Sequence, residues 1–147
     1  MILSSSITVD LAHSKLLKEA GWEQLSSHFC WCILDNMPET LETVEYQKGW
    51  LKLFGTKERK KFFDCPTAEE ILRRLPEEVV IEKNYLELRI TKNDMPLTGS
   101  TWIIEYWRTA LHDQDFALLG HEEESSSLAN AAAAMFVFLS KNKLLKP

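Results

Sequence analysis

The chain has 147 residues, 45% of them apolar and 27% charged, which fits one globular domain (1–147) and excludes extensive disorder. Its formal net charge of −5 argues against nucleic acid as the main partner, because phosphate binding needs a positive surface. The longest apolar run, Ala131 to Leu139, is nine residues, against the roughly 20 that a spanning helix needs, so no membrane association is expected. The start, Met1-Ile2-Leu3-Ser4-Ser5-Ser6, lacks the basic region of a secretory signal, and three cysteines make no paired framework. A reducing, cytoplasmic setting is expected.

The first element reads as a helix, capped by Thr8 or Asp10 and ended by Gly21 in a left-handed position. Val9, Ala12, His13, Leu16, Leu17 and Ala20 share one face at helical spacing. His28 to Leu34 follows as a strand with Phe29, Trp31 and Ile33 on one side and Cys30 and Cys32 on the other. Both sides are apolar, so a central strand is expected. Between 35 and 63 the pattern weakens. Asp35-Asn36-Met37-Pro38 marks a turn, Thr43 to Tyr46 reads as a short strand, and Trp50 to Phe54 as another strand or a helical turn.

Thr67 and Glu70 then stand at capping-box spacing, and Ala68, Ile71, Leu72 and Leu75 form one apolar stripe ending at Pro76. A short amphipathic helix is expected there. Val79 to Ile81, Tyr85 to Thr91 and Thr101 to Trp107 read as strands with short links, hence an antiparallel meander, with Met95 to Gly99 as a loop. Leu86, Leu88 and Ile90 alternate with Glu87 and Arg89, which implies one buried and one wet face. After an acidic loop, Ser125 to Lys141 forms the last helix; from Leu128 to Leu139 only Asn130 is polar. Such a helix is buried on several sides or supplies a subunit interface, so a homodimer through it is one expectation. The fold expected is α+β: an antiparallel sheet of about four to five strands, helices mainly on one face, and a long C-terminal helix.

Few residues converge on chemistry. His28, Cys30 and Cys32 share a strand face, and Cys65 can approach from a loop, but a C-x-C pair on a flat strand spreads its thiols instead of wrapping zinc. Small buried side chains are the expected role. His112, Asp113, Asp115, His121, Glu122, Glu123 and Glu124 form an oxygen-rich cluster without EF-hand spacing, and acidic residues before a helix suit its dipole. Cys65 lies near a helix N-terminus that can depress a thiol pKa. No G-x-S-x-G, P-loop, G-x-G-x-x-G or H-E-x-x-H occurs. No catalytic residue, metal or cofactor is expected.

The segment Lys48 to Lys61 stands apart. Lys48, Lys52, Lys57, Arg59, Lys60 and Lys61 oppose a single Glu58, a balance of +5 that leaves −10 for the rest of the chain. Trp50, Phe54, Phe62 and Phe63 interleave aromatics with those bases, as single-strand nucleic-acid binders do. Lysine stems covering buried aromatics in a solvated connection would give the same pattern.

Cys65-Pro66-Thr67-Ala68-Glu69-Glu70-Ile71-Leu72-Arg73-Arg74-Leu75-Pro76, followed by a strand, resembles a segment of small phage- and prophage-encoded proteins of unknown function. The ending from Leu128-Ala129-Asn130-Ala131-Ala132 to Leu144-Leu145 looks like the C-terminal helix of the same group. The resemblance covers about half the chain and implies a bacterial or phage cytoplasmic setting and an α+β fold, with no catalytic or binding residue carried over. Taken together, the expectation is a non-catalytic accessory protein that binds another protein, possibly acidic, through Lys48, Trp50, Lys52, Phe54, Lys57, Arg59, Lys60 and Lys61. Its rivals are a small-ligand binder or enzyme, and a nucleic-acid module using the same stretch.

Overall fold

A computed structural model describes residues 7–33, 38–54, 61–81, 83–95, 99–108 and 118–145. Helix α1 (Leu11–Glu19) starts where the Asp10 carboxylate accepts the His13 N–H at 2.8 Å and ends before Gly21, whose φ of 97° suits only glycine. Strand β1 (Phe29–Ile33) lies between β2 (Thr40–Thr43) and β3 (Lys61–Asp64), both antiparallel to it, in the central position that its two apolar faces require. Helix α2 (Val44–Phe54) follows β2 directly. Helix α3 (Ala68–Leu72) carries the capping box, with Thr67 Oγ1 accepting the Glu70 N–H and the Glu70 carboxylate accepting the Thr67 N–H.

Strands β4 (Glu78–Ile81), β5 (Asn84–Met95), β6 (Gly99–Arg108) and β7 (Leu118–Ser125) form a second antiparallel sheet in sequence order. Helix α4 (Leu128–Lys141) closes the chain, capped by Ser127, whose hydroxyl accepts the Asn130 N–H. The architecture is α+β, with the strands divided between sheets of three and four. Strand β7 takes up Glu122–Glu124, which the sequence presents as a loop. Pairing with β6 decides the matter: Glu122 and Glu124 are exposed on one side of the strand, and Glu123, on the other, bonds to His121. The loop expected at 95–99 is shorter: Met95 and Gly99 pair with each other at the end of the β5–β6 ladder.

The main core gathers Leu17, Ile71, Leu86, Ile104, Tyr106, Met135 and Leu139, all 1% exposed or less, around α4. Eight of the fourteen α4 residues are buried, so the all-round apolar character of this helix is used within its own chain. Three hydrogen bonds fasten it to α1: two join Asn130 and Asp10, and Ser140 Oγ donates to the Ala20 carbonyl at 2.7 Å. A smaller second core lies between the three-stranded sheet and α2, made of Cys30, Cys32 and Val44 with Leu25 and Phe62 against them.

Asp64 anchors the junction of these parts. Its carboxylate is buried and accepts hydrogen bonds from the backbone N–H groups of Leu25, Ser26 and Ser27 at 2.6, 3.2 and 2.9 Å. It also accepts the Trp22 indole N–H at 3.2 Å. The clamp holds Leu25 at a φ of 61°, a left-handed conformation that a leucine adopts only under such constraint.

Candidate functional site

Helix α2 is where the sequence and structure diverge most usefully. The strand expected at 43–46 is corrected: β2 ends at Thr43, and Val44 to Phe54 is helical throughout. The Thr43 hydroxyl accepts the Tyr46 N–H at 3.3 Å and so caps the first turn. Val44 and Gln47 turn inward and are buried, with Leu51 half-buried a turn further on the same face. The opposite face carries Tyr46 and Leu53, seven residues apart, 59% and 80% exposed. Gly49 lies between them, and a Cβ there would meet no atom within 4 Å. Trp50 is half-buried on one flank, while Lys48 and Lys52 are exposed on the other. The helix therefore has two apolar faces, one on the small core and one in water.

The sequence-derived site divides accordingly. Lys48, Trp50 and Lys52 lie on α2, Phe54 closes it, and Lys61 is exposed at the start of β3. Lys57, Arg59 and Lys60 lie outside the described residues. The two remaining aromatics do not join the exposed stripe. Phe62 packs in the second core, and Phe63 lies under the Lys15 and Lys18 ammonium groups, 5.6 and 4.8 Å from its ring. Tyr46 and Leu53 are not legible as site residues, since with a strand at 43–46 and a separate strand or helical turn at 50–54 they share no helical face. The signal was Thr43 as a cap followed by Val44, Gln47 and Leu51 at helical spacing.

The other constellations are spent on structure. Cys30 and Cys32 are buried with their sulfurs 3.8 Å apart, and the hydrogen bond between them together with burial pushes the Cys32 thiol far up. Cys65 is buried in the main core, where its thiol donates to the Val9 carbonyl at 3.1 Å. Burial raises it to about 12, so the depressed thiol considered from its place beside a helix is corrected: desolvation outweighs any dipole. His28 is exposed. Among the described residues no group of three or more His, Cys, Asp or Glu side chains is placed to hold a metal. His112, Asp113 and Asp115 lie outside those residues, and His121 and Glu122–Glu124 are on β7.

An open cleft of about 880 Å³ borders α3; the exposed His28 lines it, and its other polar side chains are already engaged. Thr67 and Glu70 complete the capping box, and Arg73 pairs with Glu69 at 2.6 Å. A shallower depression of about 280 Å³ over α4 has His13 and Glu123 on its rim. Both are likewise engaged: the His13 ring bonds to Asp10 at 2.7 Å, and Glu123 bonds to His121, which stacks on Phe138 at 3.4 Å between centroids. Among the described residues, neither cleft is lined by a serine or cysteine. Comparison with protein-family models, curated proteins and solved structures returns no match. No helix among the described residues is long and apolar enough to cross a membrane.

Proposed function

We propose that the protein is a small non-catalytic accessory protein that binds another protein through the outward face of α2. The observation that carries this reading is the exposure of Tyr46 and Leu53 on a helix whose other face is already packed. Apolar side chains at this spacing, next to lysines, are how a helix docks against a partner with apolar pockets and carboxylates. The +5 balance of the sequence from Lys48 to Lys61 favours an acidic partner, through steering as well as contact. A cytoplasmic, phage-related setting belongs to the same proposal, on the strength of the resembling segments at 65–76 and 128–145. Nucleic acid is the weaker reading, because the most exposed apolar group is Leu53, and an aliphatic side chain offers no stacking face for a base.

A photo-crosslinking residue at position 53, in cells of the native host, tests this. We expect a discrete protein adduct that K48E/K52E removes and that rising salt weakens. Adducts that are nucleic acid, or that survive K48E/K52E unchanged, overturn the reading.

A further inference from the structure

The four-stranded sheet presents an outward face of unusual charge. Pairing puts Glu78 opposite Glu87 and Glu105 opposite Glu122, and Glu124 lies two residues along β7 on the same side. Like charges directly opposite each other on a sheet destabilise it. Four of these five glutamates are exposed; Glu105 is the exception, its side chain 14% exposed. Among the described residues one base, Arg89, stands at an outward register position on this face. It is committed to Glu105 at 3.7 Å and lies over the Trp107 ring at 4.1 Å. The face therefore carries a net −4 among the described residues. One corner is apolar and exposed, where Val80 pairs with Tyr85, 47% and 72% exposed.

The same chain thus carries an acidic face on the sheet and, on α2, two exposed lysines that outnumber the one exposed acid, Glu45, with apolar groups near each. We infer that they fit each other between molecules: α2 of one copy docks on the acidic face of β4–β7 of a second copy. This rests on the reading of α2 as a binding surface and names its partner. The charge complementarity rests on Lys48 and Lys52, which outnumber Glu45 on α2 and stand on a flank of the face that Tyr46 and Leu53 share. The contact joins two different patches, so each copy keeps one of each free, and association continues head to tail or closes into a ring. The sheet face is about four strands wide at roughly 4.8 Å spacing and about five residues long at roughly 3.3 Å, or on the order of 300 Å². That is well below the roughly 800 Å² per partner of a standard stable interface, so the association is weak and salt-sensitive.

Sedimentation velocity over a concentration series, at low and high salt, tests this with two variants. K48E/K52E removes the basic patch and E87K/E122K the acidic one; E87K/E122K also turns both like-charge pairs into opposite-charge pairs, so it should melt no lower than wild type. We expect wild type to self-associate at low salt only, and each variant to associate about tenfold or more weakly. An equimolar mixture of the two variants should form a heterodimer and nothing larger, since one intact patch remains on each. A wild type that stays monomeric at low salt overturns the inference; if the position-53 adduct is then a foreign acidic protein, the binding role of α2 still stands. Self-association that E87K/E122K leaves intact overturns it as well. Self-association lost in E87K/E122K but kept in K48E/K52E overturns the inference, and the role given to α2 then stands or falls on the position-53 adduct.

Discussion

Replacing Asp64 with alanine removes one carboxylate and leaves the donors that converge on it. Those of Trp22 and Ser27 are buried, whereas Leu25 and Ser26 are partly exposed and regain water. Each buried donor left without an acceptor costs about 1–3 kcal/mol. The indole keeps a bond of 3.3 Å to Ser27 Oγ, and loss of the carboxylate's own desolvation penalty offsets part of the damage. A net loss of about 3 kcal/mol follows, a large share of the roughly 5–15 kcal/mol by which domains are stable. An unfolding entropy of about 2.1 cal/mol/K per residue over 147 residues converts this to a drop in Tm of roughly 10 °C. Asp64→Asn should do nearly as badly, because its amide nitrogen faces donors with a donor. Urea unfolding, with m-values compared to confirm that both denatured states are alike, measures the loss. A loss under about 1 kcal/mol would mean that Leu25 holds its left-handed conformation without the carboxylate, and the clamp described above would be wrong.

Gln47 is fully buried and neither amide atom has a hydrogen-bond partner among the described residues, so Gln47→Leu should stabilise by about 1–2 kcal/mol in the same urea assay. Gly120→Ala should destabilise by about 1–3 kcal/mol, because the added Cβ would come 2.1 Å from Leu86 Cδ1 in the core; calorimetry reads it as a lower Tm. Native protein at pH 8 should leave Cys30, Cys32 and Cys65 unmodified by a maleimide, with all three labelled in denaturant, as counted by mass spectrometry. Burial alone would raise the Asp10 carboxyl, but hydrogen bonds from the His13 backbone and ring, the His13 charge and Asn130 outweigh it and hold the pKa below 3.8. Its contribution is therefore complete above the unfolded value and lost as pH falls through the folded one; Asp10→Asn should flatten the acid limb of a stability–pH curve below about pH 4.

Local rules account for what the sequence shows of this fold. Thr67 and Glu70 announce α3 through a cap that needs no tertiary partner, and Gly21 ends α1 because the next turn requires a positive φ. The alternation in β5 is legible at Leu86 and Glu87 but fades at Ile90, which is 41% exposed. Position within the sheet, not side-chain character, decides that. Strand β7 is illegible because its residues are neither β-branched nor aromatic and owe their conformation to β6. Helix α2 hides for a different reason. Its buried face includes Gln47, a polar residue, and its exposed face includes Leu53, so the contrast that marks an amphipathic helix is blurred. The basic residues of the candidate site are visible in composition, but the apolar pair that gives them a docking face emerges only from the helix.

The two ties between α1 and α4 join residues 120 positions apart, from Asn130 to Asp10 and from Ser140 to Ala20. Helix α4 is synthesised after every strand it covers, so until it arrives Ile104 and Tyr106 of β6 have no lid. The meander can pair early through its short links, whereas the docking of α4 must close the longest loops in the molecule. A nascent or refolding chain would thus pass through a stage with a formed sheet and an open apolar face, the kind of species that aggregates or recruits a chaperone. Truncation just before Leu128 would hold the protein at that stage.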